Sequence, residues 1–219
     1  MTFQKNDFIE IEFTARLKDS GAVFDSNSVE ELKKLHAGHN HPVEAKPFIF
    51  ALGQNMFLSG VDDFLLKQKT EKFPVEYKIE LNPENAFGKR DSKLVQLMPI
   101  KVFHEQRLNP VPGIPFNFDG KIGKVLSVSG GRVIVDFNSP LAGKDVIYEI
   151  KIFRKLEDQN EKIKSFLEFL FKQDMDFKVE NKKLILETEK AFKQFAEMFK
   201  DKFKEIFDLE LEVKETEKK

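Results

Sequence analysis

The sequence predicts an α+β fold made of more than one lobe. Three observations point there. Polar–apolar alternation marks strands at 3–17, 73–81 and 145–153. Between the last two lies a stretch, about 89–136, of short strand-like runs broken by Gly and Pro turns. Beyond Glu157 the apolar residues fall at the three- and four-residue steps of amphipathic helices.

Taken in order, Ile9, Ile11, Phe13, Ala15 and Leu17 alternate with Glu10, Glu12, Thr14 and Arg16, the pattern of a half-buried strand running from Phe3. "KDSGAV" turns, and "VFDSNS" follows. In "SVEELKKLHAG", Ser28 and Glu31 have the spacing of a capping box, and Gly38 suits a left-handed helix end. "KPFIFALG" reads as a short strand. "LSGVDDFLLKQ" reads as a short helix with Leu58, Val61, Phe64 and Leu65 on its apolar side. Phe73, Val75, Tyr77 and Ile79 then share one face of a strand, and "NPENAFG" is a turn.

In the middle stretch "LVQLMP", "IPFNF", "GKIGKVLSVSG" and "GRVIVDF" read as strands, with one or two helical turns at "PIKVFHEQ". The strand "DVIYEIKIF" resembles the early strands more than its neighbours. The tail reads α-β-β-α-β: a helix at "EKIKSFLEFLFKQ", a hairpin turning near Asn181, one longer helix over "EKAFKQFAEMFKDKFKEIF" and a strand at "DLELEVKE". A unit of about 60 residues has a marginal core by itself. Its surplus phenylalanines point to a homodimer through 156–219.

Composition excludes several functions. The 219 residues carry a net charge of −1, so nothing favours nucleic acid or an anionic membrane as partner. No apolar run has transmembrane length, and the start lacks a signal-peptide pattern. A cytoplasmic protein is expected. Cysteine is absent, which removes disulfides and thiolate metal sites. Abundant Lys and Glu without Cys or Trp suit a thermophile. Phenylalanine occurs 24 times against two tyrosines.

Motifs for covalent chemistry are missing. His36, His39 and His41 in "HAGHNH" lack the i, i+4 spacing and the acidic partner of a helical zinc site. They read as solvated loop histidines, so no metal is expected, and adventitious capture or a metal-carrier role is the other reading. "DGKIGK" has two residues between its glycines where a phosphate loop needs four. No G-x-S-x-G elbow occurs. Asp and Glu pairs on helices read as solvated faces.

Four segments together resemble one family. "VFDSNS" (23–28), "KPFIFALGQNMFLSGVDDFL" (46–65), "NPENAFGKRDSKLVQLMPIKVF" (82–103) and "DFNSPLAGKDVIYEIKI" (136–152) are similar, in order, to the FKBP-type peptidyl-prolyl isomerases and within them to the SlyD-like branch. The resemblance implies an antiparallel half-barrel on a short helix, formed by 1–88 and 137–155. It implies an inserted, mostly-β chaperone domain, the insert-in-flap, at 89–136. The 156–219 extension looks like that of long archaeal members, which the resemblance suggests are homodimers.

It also implies a cofactor-free site acting on Xaa–Pro bonds of unfolded or partly folded polypeptides. Asp25, Phe24, Leu58 (through its backbone N–H), Phe87 and Tyr148 would act on the bond, and Phe13, Phe48, Phe57 and Val61 would line the cup. Val95, Leu97, Met98, Val102, Phe103, Phe116 and Phe118 would bind chains on the insert; each reads equally as filler of the insert's own core. The family often has tyrosine at Phe13 and Phe87 and a large aromatic at Val61. A wider, less polar cup is therefore expected, with looser preference for the residue before proline. The other reading is a holdase with an inactive isomerase lobe.

Overall fold

The computed structural model describes residues 2–35, 45–118, 120–188 and 190–215. His36, His39, His41 and Gly38 lie outside the described residues. In chain order the elements are β1 (Phe8–Leu17), β2 (Val23–Ser26), α1 (Val29–Leu35), β3 (Phe48–Ala51), α2 (Ser59–Leu65), β4 (Val75–Leu81), β5 (Val95–Pro99), α3 (Ile100–Glu105), β6 (Pro115–Phe118), β7 (Lys121–Ser129), β8 (Arg132–Asp136) and β9 (Val146–Lys155). The tail adds α4 (Gln159–Phe171), β10 (Phe177–Glu180), β11 (Lys183–Thr188), α5 (Lys190–Glu197), α6 (Lys200–Phe207) and β12 (Glu210–Glu215). Two compact units result: Met1–Arg16, Val23–Ile79 and Tyr148–Lys219 in one, Leu17–Ala22 and Glu80–Ile147 in the other.

The principal sheet has the order β2-β1-β9-β4, with β3 also paired to β1. The first strand begins at Phe8 rather than Phe3. Asn6 adopts a left-handed φ of 70°, and the Asp7 N–H closes a turn on the Gln4 carbonyl at 3.1 Å. Ile9, Ile11 and Ala15 are fully buried and Phe13 nearly so, as the alternation predicts. Phe8 and Thr14, on the other face, are buried as well. At α1 the capping box is not completed as the spacing suggests: the Ser28 N–H donates to Ser26 Oγ at 3.0 Å, and Glu31 pairs with Arg16 and Lys34.

The extension explains the burial of Phe8. The sequence suggests a lobe of its own, yet 156–219 packs into the first unit. The rings of Phe8 and Phe207 stack at 5.6 Å, and Phe207 meets Phe166 at 5.7 Å. Polar contacts follow the same seam. Glu205 accepts from Lys5 (2.7 Å) and from Gln54 (3.1 Å), and Lys202 donates to Gln54 (2.7 Å). Arg154 joins Glu10 to Glu161 near the start of α4, whose first turn is capped by Asp158.

Inside the extension, β10 and β11 form a hairpin through Asn181 and Lys182, both with positive φ, and β11 pairs in parallel with β12. The crossover between these parallel strands is helical, as such connections require. It is two helices rather than the single long one that the spacing predicts. The break at Met198–Phe199 divides the phenylalanines. Phe195 packs on Phe171 and Phe199, while Phe203 and Phe207 turn to Phe166. One straight helix would hold all four on a common stripe.

The second unit contains a four-stranded antiparallel sheet in the order β5-β8-β7-β6. Its core is Phe103 of α3 with Val125, Val133 and Val135, all fully buried. Gly123 is required on that face, because a Cβ there would stand 2.5 Å from the Val135 side chain and 2.7 Å from the Phe137 ring. Where the chain enters and leaves this sheet, the two crossings are tied together. Asp91 N–H donates to Asn138 Oδ1 (2.8 Å), Asn138 Nδ2 donates back to the Asp91 carbonyl (2.9 Å), and Arg90 pairs with Asp136.

Candidate active site

The aromatic cluster is built on β1, β2, β3 and β9, with residues of the loop entering α2. Phe57 lies at its centre. Its ring is 5.0 Å from Phe13, 5.6 Å from Phe48, 5.3 Å from Phe50 and 5.6 Å from Tyr148. Phe24 meets Tyr148 edge-on at 6.1 Å. Such edge-to-face rings are a favourable packing of aromatic quadrupoles. Phe13 and Tyr148 of the cluster are buried, as is Val61 of α2; Phe24, Phe48 and Phe57 are partly exposed and form the mouth.

Phe57 packs the centre of the ring cluster. Phe87 lies in the second unit, just after the 3-10 turn Pro83–Asn85, and is half-buried.

Backbone and polar groups fix this arrangement. Asn27 holds three segments at once: its Oδ1 accepts from the Phe13 N–H at 2.6 Å, and its Nδ2 donates to the carbonyls of Ile11 and Lys46. Ser26 Oγ donates to the Phe13 carbonyl at 2.9 Å. Asp25, paired in register with Ala15, is thereby held exposed beside the cluster. Burial pushes the Tyr148 hydroxyl's pKa up, and the Asp25 charge raises it further, so the phenol stays protonated. Leu58 is the N-cap residue of α2, with an extended backbone at φ −68° and ψ 127°.

Asp62 anchors the loop that carries Phe57 and Leu58. Its Oδ2 accepts from the Gly53 N–H at 3.1 Å, while Oδ1 is buried without a partner among the described residues. Burial pushes its carboxyl up to about 6, against the N–H groups of Gly53 and Asn55, which favour the charge. The acidic pair Asp62–Asp63 thus divides: Asp63 is exposed as a solvated face requires, and Asp62 is buried.

Sequence reasoning missed Asn27, Phe50 and Asp62. The signal for Asp62 was present, since it falls at i+4 from Leu58 and three residues before Leu65, on the buried side of α2. Asn27 gave none beyond its place in a turn-like run.

On the insert the expected docking residues separate. Phe103 is fully buried at the centre of the core, touched edge-on by Phe116 and Phe118 at 5.7 and 5.4 Å. It offers no surface, because α3 lays it against three buried valines. Val95, Met98, Val102, Phe116 and Phe118 are half-buried, and Leu97 is 58% exposed. Ile122, which sequence reasoning passed over, is more exposed still at 67%.

Comparison with known proteins agrees with this architecture. The family model described as FKBP-type peptidyl-prolyl cis-trans isomerase matches residues 1–102, and the one described as FKBP26, IF domain matches 96–141. Together they span most of the chain, which belongs to the FKBP-type peptidyl-prolyl cis-trans isomerase family.

Within the family its relatives include a short-type peptidyl-prolyl cis-trans isomerase of Methanocaldococcus jannaschii, 27% identical over 68% of this chain and 91% of that protein. The FKBP-type isomerase SlyD of Pasteurella multocida is 29% identical over 74% of each chain. Among solved structures, the three FKBP domains of wheat FKBP73 align with a TM-score of 0.35 and 18% identity, over 72% of this chain and 42% of that one.

Proposed function

We propose that this chain is a peptidyl-prolyl cis-trans isomerase that also holds unfolded polypeptide on its inserted sheet. The observation that carries the reading is the ring cluster of Phe13, Phe24, Phe48, Phe57 and Tyr148, with the Asp25 carboxylate exposed beside it.

Amide resonance opposes rotation of an Xaa–Pro bond by ~18–20 kcal/mol. The twisted transition state has lost that resonance and is less dipolar. A proline seated at the mouth formed by Phe24, Phe48 and Phe57 exchanges water for aromatic edges, which disfavours the planar amide relative to the twisted one. The Leu58 N–H holds the substrate carbonyl, and Asp25 acts beside the carbonyl that turns. Each ~1.4 kcal/mol of such preference is a factor of ten in rate.

Chain binding is supported by the outward side chains of the insert, Leu97 and Ile122 foremost, with Val95, Met98, Val102, Phe116 and Phe118 at the edges of its core. Substrate held there is kept at high local concentration. Self-association through 156–219 is supported by Phe195 and Met198, 40% and 78% exposed near the α5–α6 break.

The test is isomerisation of a short Xaa–Pro peptide by the wild-type protein and by Asp25→Ala and Phe24→Ala. Both variants should lose about tenfold or more in kcat/KM, worth ~1.4 kcal/mol. Aggregation suppression with no effect of the wild type on the peptide would instead favour a holdase whose isomerase lobe is silent.

A further inference from the structure

The extension does more than cover the back of β1. Helix α4 forms one wall of a cleft of about 430 Å³ whose other wall includes Asp25 and Phe48. Ser165, Glu168 and Phe169 of α4, at i, i+3 and i+4, line the cleft together with Lys172 at the helix's C-cap. Phe169 bridges the two walls, its ring 6.4 Å from Phe48. The Lys172 ammonium lies 4.5 Å from the centre of the Phe169 ring.

The wall is firm. Ile163, Phe166 and Leu167 bury the opposite side of α4, Asp158 caps its start, and the helix ends in a left-handed Lys172 whose N–H closes on the Glu168 carbonyl. The cleft is continuous with the ring cluster through Phe13, Phe48 and Asp25. Its size falls in the range of small-ligand sites, ~300–1,000 Å³. In the isomerase reading, a polypeptide whose proline sits at the mouth, beside Asp25, would run its flanking residues into this cleft.

We infer that α4 supplies a flanking-residue subsite, with Phe169 as an apolar shelf for the substrate chain next to the proline. The inference rests on the isomerase reading and adds a specificity determinant that the half-barrel lacks by itself. It gives the extension a part in choosing substrate, separate from self-association.

The experiment compares a four-residue Xaa–Pro peptide with two longer peptides of the same centre, one lengthened before the proline and one after it. Apolar residues occupy the added positions. For Phe169→Ala the ratio of kcat/KM on the lengthened peptide to that on the short one should fall about fivefold for at least one of the two, as expected for losing part of one buried ring. Ser165→Trp, which fills the cleft, should lower the same ratio through KM, with unchanged melting temperature. Ratios equal to wild type in both variants overturn the subsite. A wild type that accelerates none of the peptides overturns the isomerase reading itself, which separates the two failures.

Discussion

The sheet around β1 and the sheet of the insert use the same alternating sequence pattern to different ends. On β1 the outward Phe8 is as buried as the inward Ile9, because Phe207 of the extension stacks on it. On the insert, Val125 of β7 is fully buried while Ile122 and Leu126 of the same strand remain 67% and 40% exposed. Alternation therefore reports which residues can be covered. What covers the second face depends on chain from elsewhere, and on the insert's outward face large apolar side chains stay open.

The two sheets should differ most in their cores. Phe203, fully buried against Phe166, joins the extension to the cover over β1. Phe203→Ala should cost ~3–5 kcal/mol in denaturant unfolding and raise hydrogen exchange along β1. Phe103→Ala should cost a similar ~3–5 kcal/mol, seen in amides of 95–136 with those of β1 unchanged. Equal loosening of both sheets by either variant contradicts the division into separately packed units.

Outward residues of the insert should behave oppositely. Leu97→Lys with Ile122→Lys should change stability by no more than ~0.5 kcal/mol per site. Aggregation suppression of an unfolded client should fall severalfold, while turnover of a short Xaa–Pro peptide stays as in wild type.

A finer probe is Asp62. Its folded pKa is raised to about 6, so the folded state binds a proton that the unfolded state releases at lower pH. Stability from this group is full below the ordinary carboxylate range and is lost as pH rises through about 6. Asp62→Asn should remove that fall from a melting-temperature profile between pH 4 and 7. It should leave the protein at least as stable at pH 7, since Oδ2 can be replaced by an amide oxygen.

The smallest effect belongs to Glu205, held down to about 2 by hydrogen bonds from Lys5, Gln54 and Lys202. Its contribution is present above the ordinary glutamate range and fades as pH falls toward 2. Glu205→Gln should therefore cost little near pH 7 at high salt, the exposed side chains being screened.

Much of this architecture was legible in the residues. Strands with strict alternation fell where expected, and so did α2, α3 and the hairpin at Asn181. Phe24, Phe48, Phe57 and Tyr148 of the ring cluster fall within the four family-like segments, whereas Phe13 comes from the alternating strand before them. What stayed hidden depended on contacts between distant segments. Nothing local says that Phe8 meets Phe207, that α4 stands beside Phe48, or that β11 and β12 pair in parallel. The break at Phe199 was invisible for a related reason: three- and four-residue spacing fits one helix or two equally well. At the site, Asp62 was misjudged as surface because its neighbour Asp63 is.

The tie between Asp91 and Asn138 has a consequence for how such a molecule is put together. Both ends of the inserted sheet arrive side by side, latched by reciprocal hydrogen bonds and the Arg90–Asp136 pair. A segment hung on adjacent stems demands little reach from the rest of the backbone. The insert is in that sense a cassette: a few glycines could bridge its stems, or a foreign module be spliced between them, without asking the remaining strands to part.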